Sequence, residues 1–540
     1  MLQKGILLFL ILSVGINGFS QNRHLNGNDT KKAIEIAQWT VHDIVFTAKK
    51  IEGNPFDLSI DATVSSEKGT QTIPLFYNGN KEWILRFSAH ETGTYQYTVN
   101  GNLAGVSNNK GSFIVTQNTK PNRHGGIVLN SDDPQHLYYQ DGKGYFNLAF
   151  ECDWLFALDY GQKELPKTKQ LLNTIAENGF NQIVMNVYSH DVNWKKDPKL
   201  ADHPEHEYGG KLAIFPFKGD NKHPNFEELN VAFFQHLDKT LAEMHDRELV
   251  SHLMIYVWNK MVNWPDMNTA ADNRYFDYVL KRYQAYPNLV WDVSKEALFY
   301  GRATEEYISE RIQRIRKMDS YHRLVSVHDY GFCKKHPEEV DFLSSQDWTH
   351  TLYEHMLKAR QQFPNKPVFN IEHGGYEESA YEVFTGDYVN AEVCLRRNYM
   401  CLFAGVYTTY YWQGASWNVL IHNPFELSGE FPKPKFEYFA HLKGLFDKYP
   451  FENFVPNPGK NTSGYNLTDS KNGVTLVYMP KENYAVKLWY MEKETEKTAT
   501  MQFFNTLTGT YTPVENFKKE KAERSPWSGQ ADTILIVQRK

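Results

Sequence analysis

The sequence is poor in cysteine, with four in 540 residues: Cys152, Cys333, Cys394 and Cys401. No two of them stand in a C-x-x-C arrangement, so the common zinc and redox motifs are excluded. Cys394 and Cys401 fall in an expected helix about two turns, or roughly 10 Å, apart, beyond disulfide reach. All four therefore read as buried thiols, in a chain long enough to build its cores without disulfides. A basic excess is also missing. With 58 Lys and Arg against 64 Asp and Glu, the formal net charge is -6. Nothing is left over to neutralise a phosphate backbone, so no nucleic-acid partner is expected. No segment is apolar for long enough to span a bilayer. Internal repeats and low-complexity tracts are absent as well.

What remains is the composition of a globular protein of two or three domains, 41% hydrophobic. Aromatic residues are plentiful, with 33 Tyr, 34 Phe and 12 Trp. Most belong in cores, but aromatic faces also stack on pyranose rings. The N-terminus has the form of a signal peptide. Lys4 supplies the basic region, Ile6 to Val14 the short apolar region, and Gly18 and Ser20 the small residues before cleavage after Ser20. Secretion, or export to a periplasm, is the expectation. No cysteine follows the apolar run, so a lipid anchor is not indicated.

The pattern changes twice along the chain. From about Ala33 to Val115, alternating runs such as FDLSIDATV, EWILRFSA and GTYQYTV are separated by turn residues at Gly69, Asn78-Gly79 and Gly93. Such spacing predicts a small antiparallel β-sandwich. A polar stretch, Asn118 to Gly126, reads as a linker. Strand-like runs then alternate with amphipathic helices as far as Pro450: YFNLAFE, FNQIVMNVY, VSHLMIYVW, LVWDVS, RLVSVH, VDFLSSQ, KPVFNIE and VYTTYYW. Eight strands in roughly 300 residues suit one (β/α)8 barrel. Alternation returns after Phe451 in GVTLVYMP, ATMQFFN and TILIVQ. The fold expected is α/β: a central (β/α)8 TIM barrel flanked by two small β-sandwich domains. The boundaries run 1–20 for the signal peptide, 21–125 for the first sandwich, 126–449 for the barrel and 450–540 for the second sandwich.

Barrel active sites sit at the C-terminal ends of the strands. The fourth strand ends Trp291-Asp292-Val293-Ser294-Lys295-Glu296, and strict alternation puts Asp292, Ser294 and Glu296 on one face. The seventh ends Asn370-Ile371-Glu372-His373-Gly374-Gly375, with Asn370 and Glu372 in phase. Two carboxyl groups facing each other across a barrel mouth are what glycoside hydrolysis needs. One protonates the leaving oxygen, and the other attacks or stabilises the anomeric carbon.

On these motifs, PNLVWDVSKEAL and KPVFNIEHGG, the middle of the chain resembles the clan-A glycoside hydrolases. It is most similar to the apiosidase-like barrels of Bacteroidetes polysaccharide degradation. The resemblance implies a leading β-sandwich and, through MQFFNTLTGTY, a tail like a "collagen-binding" β-domain. It also implies a retaining hydrolase of a plant or algal polysaccharide or its oligosaccharides, with Glu296 as acid/base and Glu372 as nucleophile. The sequence departs from the clan at one place. Lys295 stands where an Asn that binds the sugar 2-hydroxyl is usual, which points to a modified or anionic sugar, or to a salt-bridged lysine.

Other strand ends supply an expected sugar-binding rim: Asp153, Trp154, Asn186, Tyr188, His190, Trp258, Lys295, His328, Gln346 and Trp412. The long loop from Asn193 to Phe226 is expected to shape the cleft. No cofactor and no metal are expected. His203-Pro204-Glu205-His206 has tempting spacing, but its histidines do not share a helix face as a zincin requires. A carbohydrate-binding or adhesion protein on a catalytically dead barrel is the non-enzymatic alternative. The oligomeric state cannot be read from the sequence.

Overall fold

The computed structural model describes residues 33–210, 213–258, 260–383, 388–429, 431–459, 461–482, 485–488, 499–517 and 522–539. The expected signal peptide lies outside the described residues. At the centre, eight parallel strands form a barrel: β1 (Ala149–Glu151), β2 (Gln182–Asn186), β3 (Val250–Val257), β4 (Leu289–Lys295), β5 (Val325–His328), β6 (Leu343–Gln346), β7 (Val368–Glu372) and β8 (Tyr407–Tyr410). They pair in the order β5-β4-β3-β2-β1-β8-β7-β6. β5 and β6 adjoin, and the Ser326 hydroxyl donates to the Phe342 carbonyl at 2.8 Å across the closing seam. The strands coincide with the eight apolar runs of the sequence. β1 to β5 and β7 and β8 are buried along their whole length, as expected where helices cover the outer face of a parallel sheet.

Helices follow the strands: α1 (Pro166–Glu177), α2 (Val231–Asp246), α3 (Ala270–Tyr283), α4 (Glu305–Met318), α5 (Tyr330–Lys335), α6 (Leu352–Gln362), α7 (Ala391–Phe403) and α8 (Phe436–Lys448). α4 shows why such segments are helical. Thr304 caps it by accepting from the Tyr307 N–H at 3.2 Å. Glu305 and Glu306 lie at the positive end of its dipole and Arg316 and Lys317 at the negative end. Tyr307, Ile308, Arg311, Ile312 and Ile315 form its buried stripe.

The barrel interior carries a polar chain. Gln182 Oε1 accepts from the Tyr145 hydroxyl at 2.9 Å and from Asn147 Nδ2 at 2.8 Å. Gln182 Nε2 meets His252 Nδ1 at 3.2 Å, and His252 Nε2 meets Asp292 Oδ2 at 3.0 Å. Asp292 Oδ1 in turn accepts from the Ser294 and His328 backbone amides at 3.1 and 3.0 Å. Asp292 is thus fully engaged below the mouth, and so holds the ends of β4 and β5 in place.

The N-terminal part is a sandwich of a five-stranded and a three-stranded sheet. Its interior is filled by Ile44, Phe46, Val64, Trp83, Leu85, Phe87, Val99 and Phe113, among others. The polar stretch after it is tied down, since Arg123 donates to Glu248 at 2.9 Å and to the His245 carbonyl at 3.1 Å. The C-terminal part is, among the described residues, a six-stranded sheet. One face joins the barrel core through Leu476, Tyr478, Phe504, Ile534 and Ile536. The other has its own cluster of Val477, Met501, Leu535 and Val537. Arg396 of α7 clamps Asp532 of this domain with two bonds at 2.8 and 2.7 Å. Among the described residues Cys152, Cys333, Cys394 and Cys401 are free and buried.

The sandwich is locked to the barrel by arginines. Arg86 makes two 2.8 Å bonds to Asp43 of its own domain, then reaches Asp238 of α2 at 3.2 and 3.1 Å and the Arg282 carbonyl at 2.8 Å. Arg282 of α3 grips the same Asp238 at 2.8 and 2.6 Å. Both guanidinium groups are almost inaccessible and lie over the Phe76 ring. Burial alone would raise the Asp238 pKa, but Arg282 and Arg86 outweigh it and hold the carboxyl below the ordinary aspartate range. Its stabilising contribution is therefore present above that range and lost as the pH falls through the depressed value. Asp238→Ala leaves two buried cations short of their counter-ion, at a cost of about 3–5 kcal/mol. Calorimetry should show a clearly lower melting temperature at pH 7, with the gap from wild type closing as the pH falls below the carboxylate range.

Candidate active site

Two irregularities shape the barrel mouth. Opposite β5, the register of β4 shifts between Asp292 and Lys295. Opposite β6, that of β7 shifts between Asn370 and Glu372, so that Gln346 pairs with Glu372. Bulges re-aim the side chains that follow them. Glu296 adds a third break with φ +55°, in the left-handed region that costs a residue with a Cβ. Its amide donates to the His328 carbonyl at 3.0 Å, which fixes this turn against β5.

The two glutamates meet through Gln346. Its Nε2 donates to Glu296 Oε1 at 3.0 Å and to Glu372 Oε2 at 2.7 Å. These two oxygens are therefore no more than about 6 Å apart, short of the wider spacing that leaves room for a water between carboxyl groups. The Tyr376 hydroxyl stands 3.5 Å from the same Glu372 oxygen, with its ring stacked on Tyr411 at 4.5 Å. Gly374, at φ +65°, lets the chain leave β7 beneath Trp348, where a Cβ would come within 3.0 Å of the indole.

Strict alternation separates Lys295 from Glu296, and the bulge in β4 removes that separation. Lys295 Nζ lies 2.8 Å from Glu372 Oε1, 3.0 Å from Glu151 Oε1 and 3.7 Å from Asp153 Oδ1. All four side chains are at most 5% exposed. Burial alone would lower the lysine pKa, but Asp153, Glu151, Glu372 and Glu296 together drive it well above the ordinary value. For Glu372, burial pushes upward, and Lys295 followed by His328 overcomes it, holding the carboxyl below the ordinary glutamate range. For Glu151 burial wins over Lys295, with Asp153 and Glu372 adding to it, and its pKa is well above the ordinary value. Asp153 again has burial against it, and Lys295 and Lys260 bring it below the ordinary aspartate range.

Of the expected rim, Asp153, Asn186, Lys295, His328 and Gln346 converge with the two glutamates. Asn186 Nδ2 donates to Asp153 Oδ1 at 3.1 Å. His328 Nε2 stands 3.9 Å from Glu372 Oε1. Trp154 is buried beside Asp153, with Lys260 Nζ 5.6 Å from its ring centre. Tyr188 is not on the rim. Its ring is packed among Phe156, Phe215, Phe233 and Trp264, and its hydroxyl meets His190 Nδ1 at 3.3 Å. Residues 187–190 have left β2, so the alternation that placed Tyr188 no longer applies. Trp258 packs on Tyr256, and Trp412 sets its ring edgewise on Phe436.

The loop from Asn193 to Phe226 contains two short 3-10 turns and the first strand of a hairpin, and residues 211–212 are outside the described part. His203, Glu205 and His206 lie near one another in it, and His206 Nδ1 is taken by the Tyr381 hydroxyl at 2.7 Å.

Sequence reasoning missed several residues of this site. Glu151 ends the apolar run YFNLAFE in phase with Asp153, and that alternation was the available signal. Lys260 comes from the loop after β3, with Nζ 3.7 Å from Asp153 Oδ2 and 4.9 Å from the Trp417 ring centre. No periodicity marks it. Phe299 and Tyr300, just after Glu296, are 80% and 51% exposed. An aromatic pair left in water beside Glu296 could be noticed only once its exposure was known. A cleft of about 430 Å³ opens beside Gln346, lined by Tyr330, Lys334, Trp348, His355 and Lys358.

Gly374→Ala forces a Cβ into the left-handed region, at about 1–2 kcal/mol, and against Trp348. Glu372, a candidate reacting group, lies two residues away, so we expect a lower melting temperature together with a loss of kcat/KM of up to about a hundredfold. Steady-state kinetics on the folded variant checks this.

The comparisons with known proteins bear on the family and the fold. The family model "Apiosidase-like, catalytic domain" matches residues 131–452, more than half of the chain. A domain of unknown function (DUF5060) matches residues 35–102, within the N-terminal sandwich. No curated protein matches. Among solved structures, a Bacteroides vulgatus ATCC 8482 protein with a glycoside-hydrolase designation is 19% identical, over 94% of this chain and 100% of that one, with a TM-score of 0.74. A glycoside hydrolase family 5 structure from the same organism is 16% identical, over 77% of this chain and 93% of that one, with a TM-score of 0.56. At such identities the structures establish the shared fold. The chain belongs to the apiosidase-like family and is a glycoside hydrolase built on a (β/α)8 barrel.

Proposed function

We propose that this hydrolase retains anomeric configuration, with Glu372 as nucleophile and Glu296 as acid/base, and acts on a plant or algal polysaccharide or its oligosaccharides. The observation that carries the reading is the Gln346 amide, which bonds both carboxyl groups at once, at 3.0 and 2.7 Å. That proximity suits a direct attack followed by hydrolysis. In the first step a Glu372 oxygen bonds to the anomeric carbon as the glycosidic C–O bond breaks, and the Glu296 proton goes to the departing oxygen. In the second, the Glu296 carboxylate takes a proton from water, the water oxygen bonds to the anomeric carbon, and Glu372 leaves as a carboxylate. The low pKa of Glu372 favours it both as an ionised nucleophile and as a leaving group. The substrate class follows the family resemblance. The rim pair Phe299 and Tyr300 suits stacking on a sugar ring. Signal-peptide-directed secretion fits such a substrate.

The pair is tested with aryl glycosides bearing good and poor leaving groups, after a panel of plant and algal oligosaccharides has identified the sugar. Glu372→Gln should be nearly inert on all of them. Glu296→Ala should still be glycosylated by a dinitrophenyl glycoside, which needs no protonation, but should deglycosylate slowly until azide is added. Wild-type turnover by a folded Glu372→Gln variant would falsify the assignment.

A further inference from the structure

An ammonium group has three N–H donors, and Lys295 has three buried carboxyl groups around it. Its Nζ is 2.8 Å from Glu372, 3.0 Å from Glu151 and 3.7 Å from Asp153, and the side chain is 3% exposed. It donates to Glu151 Oε1 at 3.0 Å and is enclosed by carboxyl groups on three sides, which turns it away from a sugar hydroxyl or a sugar carboxylate. The two oxygens of Glu372 also face different groups. Oε1 meets Lys295 and, at 3.9 Å, His328. Oε2 meets Gln346 at 2.7 Å and Tyr376 at 3.5 Å, on the side of Glu296.

We propose that Lys295 is a positioning residue, which holds Glu372 through Oε1 and leaves Oε2 to attack. The proposal rests on Glu372 being the nucleophile, and it replaces the sugar contact expected at this position. The groups that face Glu372 define the balance. Glu151 and Asp153 come from β1 and the residues after it, Lys260 from the loop after β3, Lys295 and Glu296 from the end of β4, and Tyr300 from the loop beyond. His328 comes from β5, Gln346 from β6 and Tyr376 from the segment after β7. Lys295 stands nearest Glu372 Oε1, at 2.8 Å, and His328 follows at 3.9 Å.

The test separates holding the nucleophile from binding the sugar. Lys295→Met removes the charge. Lys295→Gln keeps a donor and nearly the same length, and carries the test if the Met variant does not fold. The Glu372 carboxyl is followed by 13C NMR in substrate-free, glutamate-labelled protein, with its signal assigned by its absence in Glu372→Gln. The acid limb of kcat/KM is measured on the aryl glycoside that wild type cleaves best. In the neutral variants, Glu372 should titrate at higher pH than in wild type. The acid limb should follow it, so that kcat/KM falls about tenfold more at pH 5 than at pH 8, with KM little changed. Lys295→Arg, which keeps the charge, should return the limb toward wild type. An unmoved Glu372 titration, or a KM raised equally at every pH with the limb unmoved, overturns the proposal. A Glu372 titration that shifts while the acid limb does not leaves the pairing of Lys295 with Glu372 standing but removes Glu372 as the nucleophile, and so overturns the positioning role through the proposed function.

Discussion

Four carboxyl groups crowd into the mouth of this barrel, where little water reaches them, and the arrangement stands because two ammonium groups are buried among them. Desolvation opposes every charge placed there, and unlike charges in contact are what offset it. The outcome differs from group to group. Glu372 and Asp153 are held in their charged forms and Glu151 is pushed toward its neutral one, although all three are equally hidden from solvent. What separates them is their partners: Glu372 has His328 beside Lys295, Asp153 has Lys260 and Asn186, and Glu151 has Lys295 with two carboxyl groups pushing against it. The same barrel interior accepts a second polar chain lower down, from Tyr145 to Asp292, because each member of it has a bonded neighbour.

Two-residue alternation within strands and helix-period spacing between them are local properties. They made the eight barrel strands legible in the sequence, as well as the presence of β-domains on either side. The two glutamates were legible for the same reason, since each closes an apolar run. Lys295 shows where that reasoning stops. A single extra residue in the strand turns Lys295 to the face that alternation denies it, the left-handed turn at Glu296 keeps that residue at the mouth, and nothing in the run LVWDVSKE marks either break. Tyr188 shows the converse error, in which alternation was continued past the end of β2 into a loop that folds back onto aromatic packing. Lys260 and Gly374 lie in loops, where spacing carries no information and only the closed structure shows what faces what.

The irregular positions are concentrated where the chemistry is. The bulge in β4, the one in β7 and the left-handed Glu296 all fall within the last turn of strand before the mouth. Regular pleating would point alternate residues inward with a fixed spacing, and a catalytic pair needs a spacing of its own. Breaking the pleat at two opposite strands sets the distance between Glu296 and Glu372 without disturbing the hydrogen-bonded barrel below them.

The arginines at the sandwich boundary bear on how such a protein can be rebuilt by recombination. Along the chain, the change of pattern near residue 125 looks like a seam at which one module could be exchanged for another. In space there is no seam. Arg282 of the barrel bonds Asn78 of the sandwich at 2.9 Å, Arg274 bonds Asp57 at 2.7 and 3.0 Å, and the Tyr278 hydroxyl donates to the Tyr77 carbonyl at 2.6 Å. A foreign sandwich grafted at residue 125 would have to carry counterparts of Asp57, Tyr77 and Asn78 to restore these bonds. Segments that look separable along the sequence are joined in the protein through these side chains.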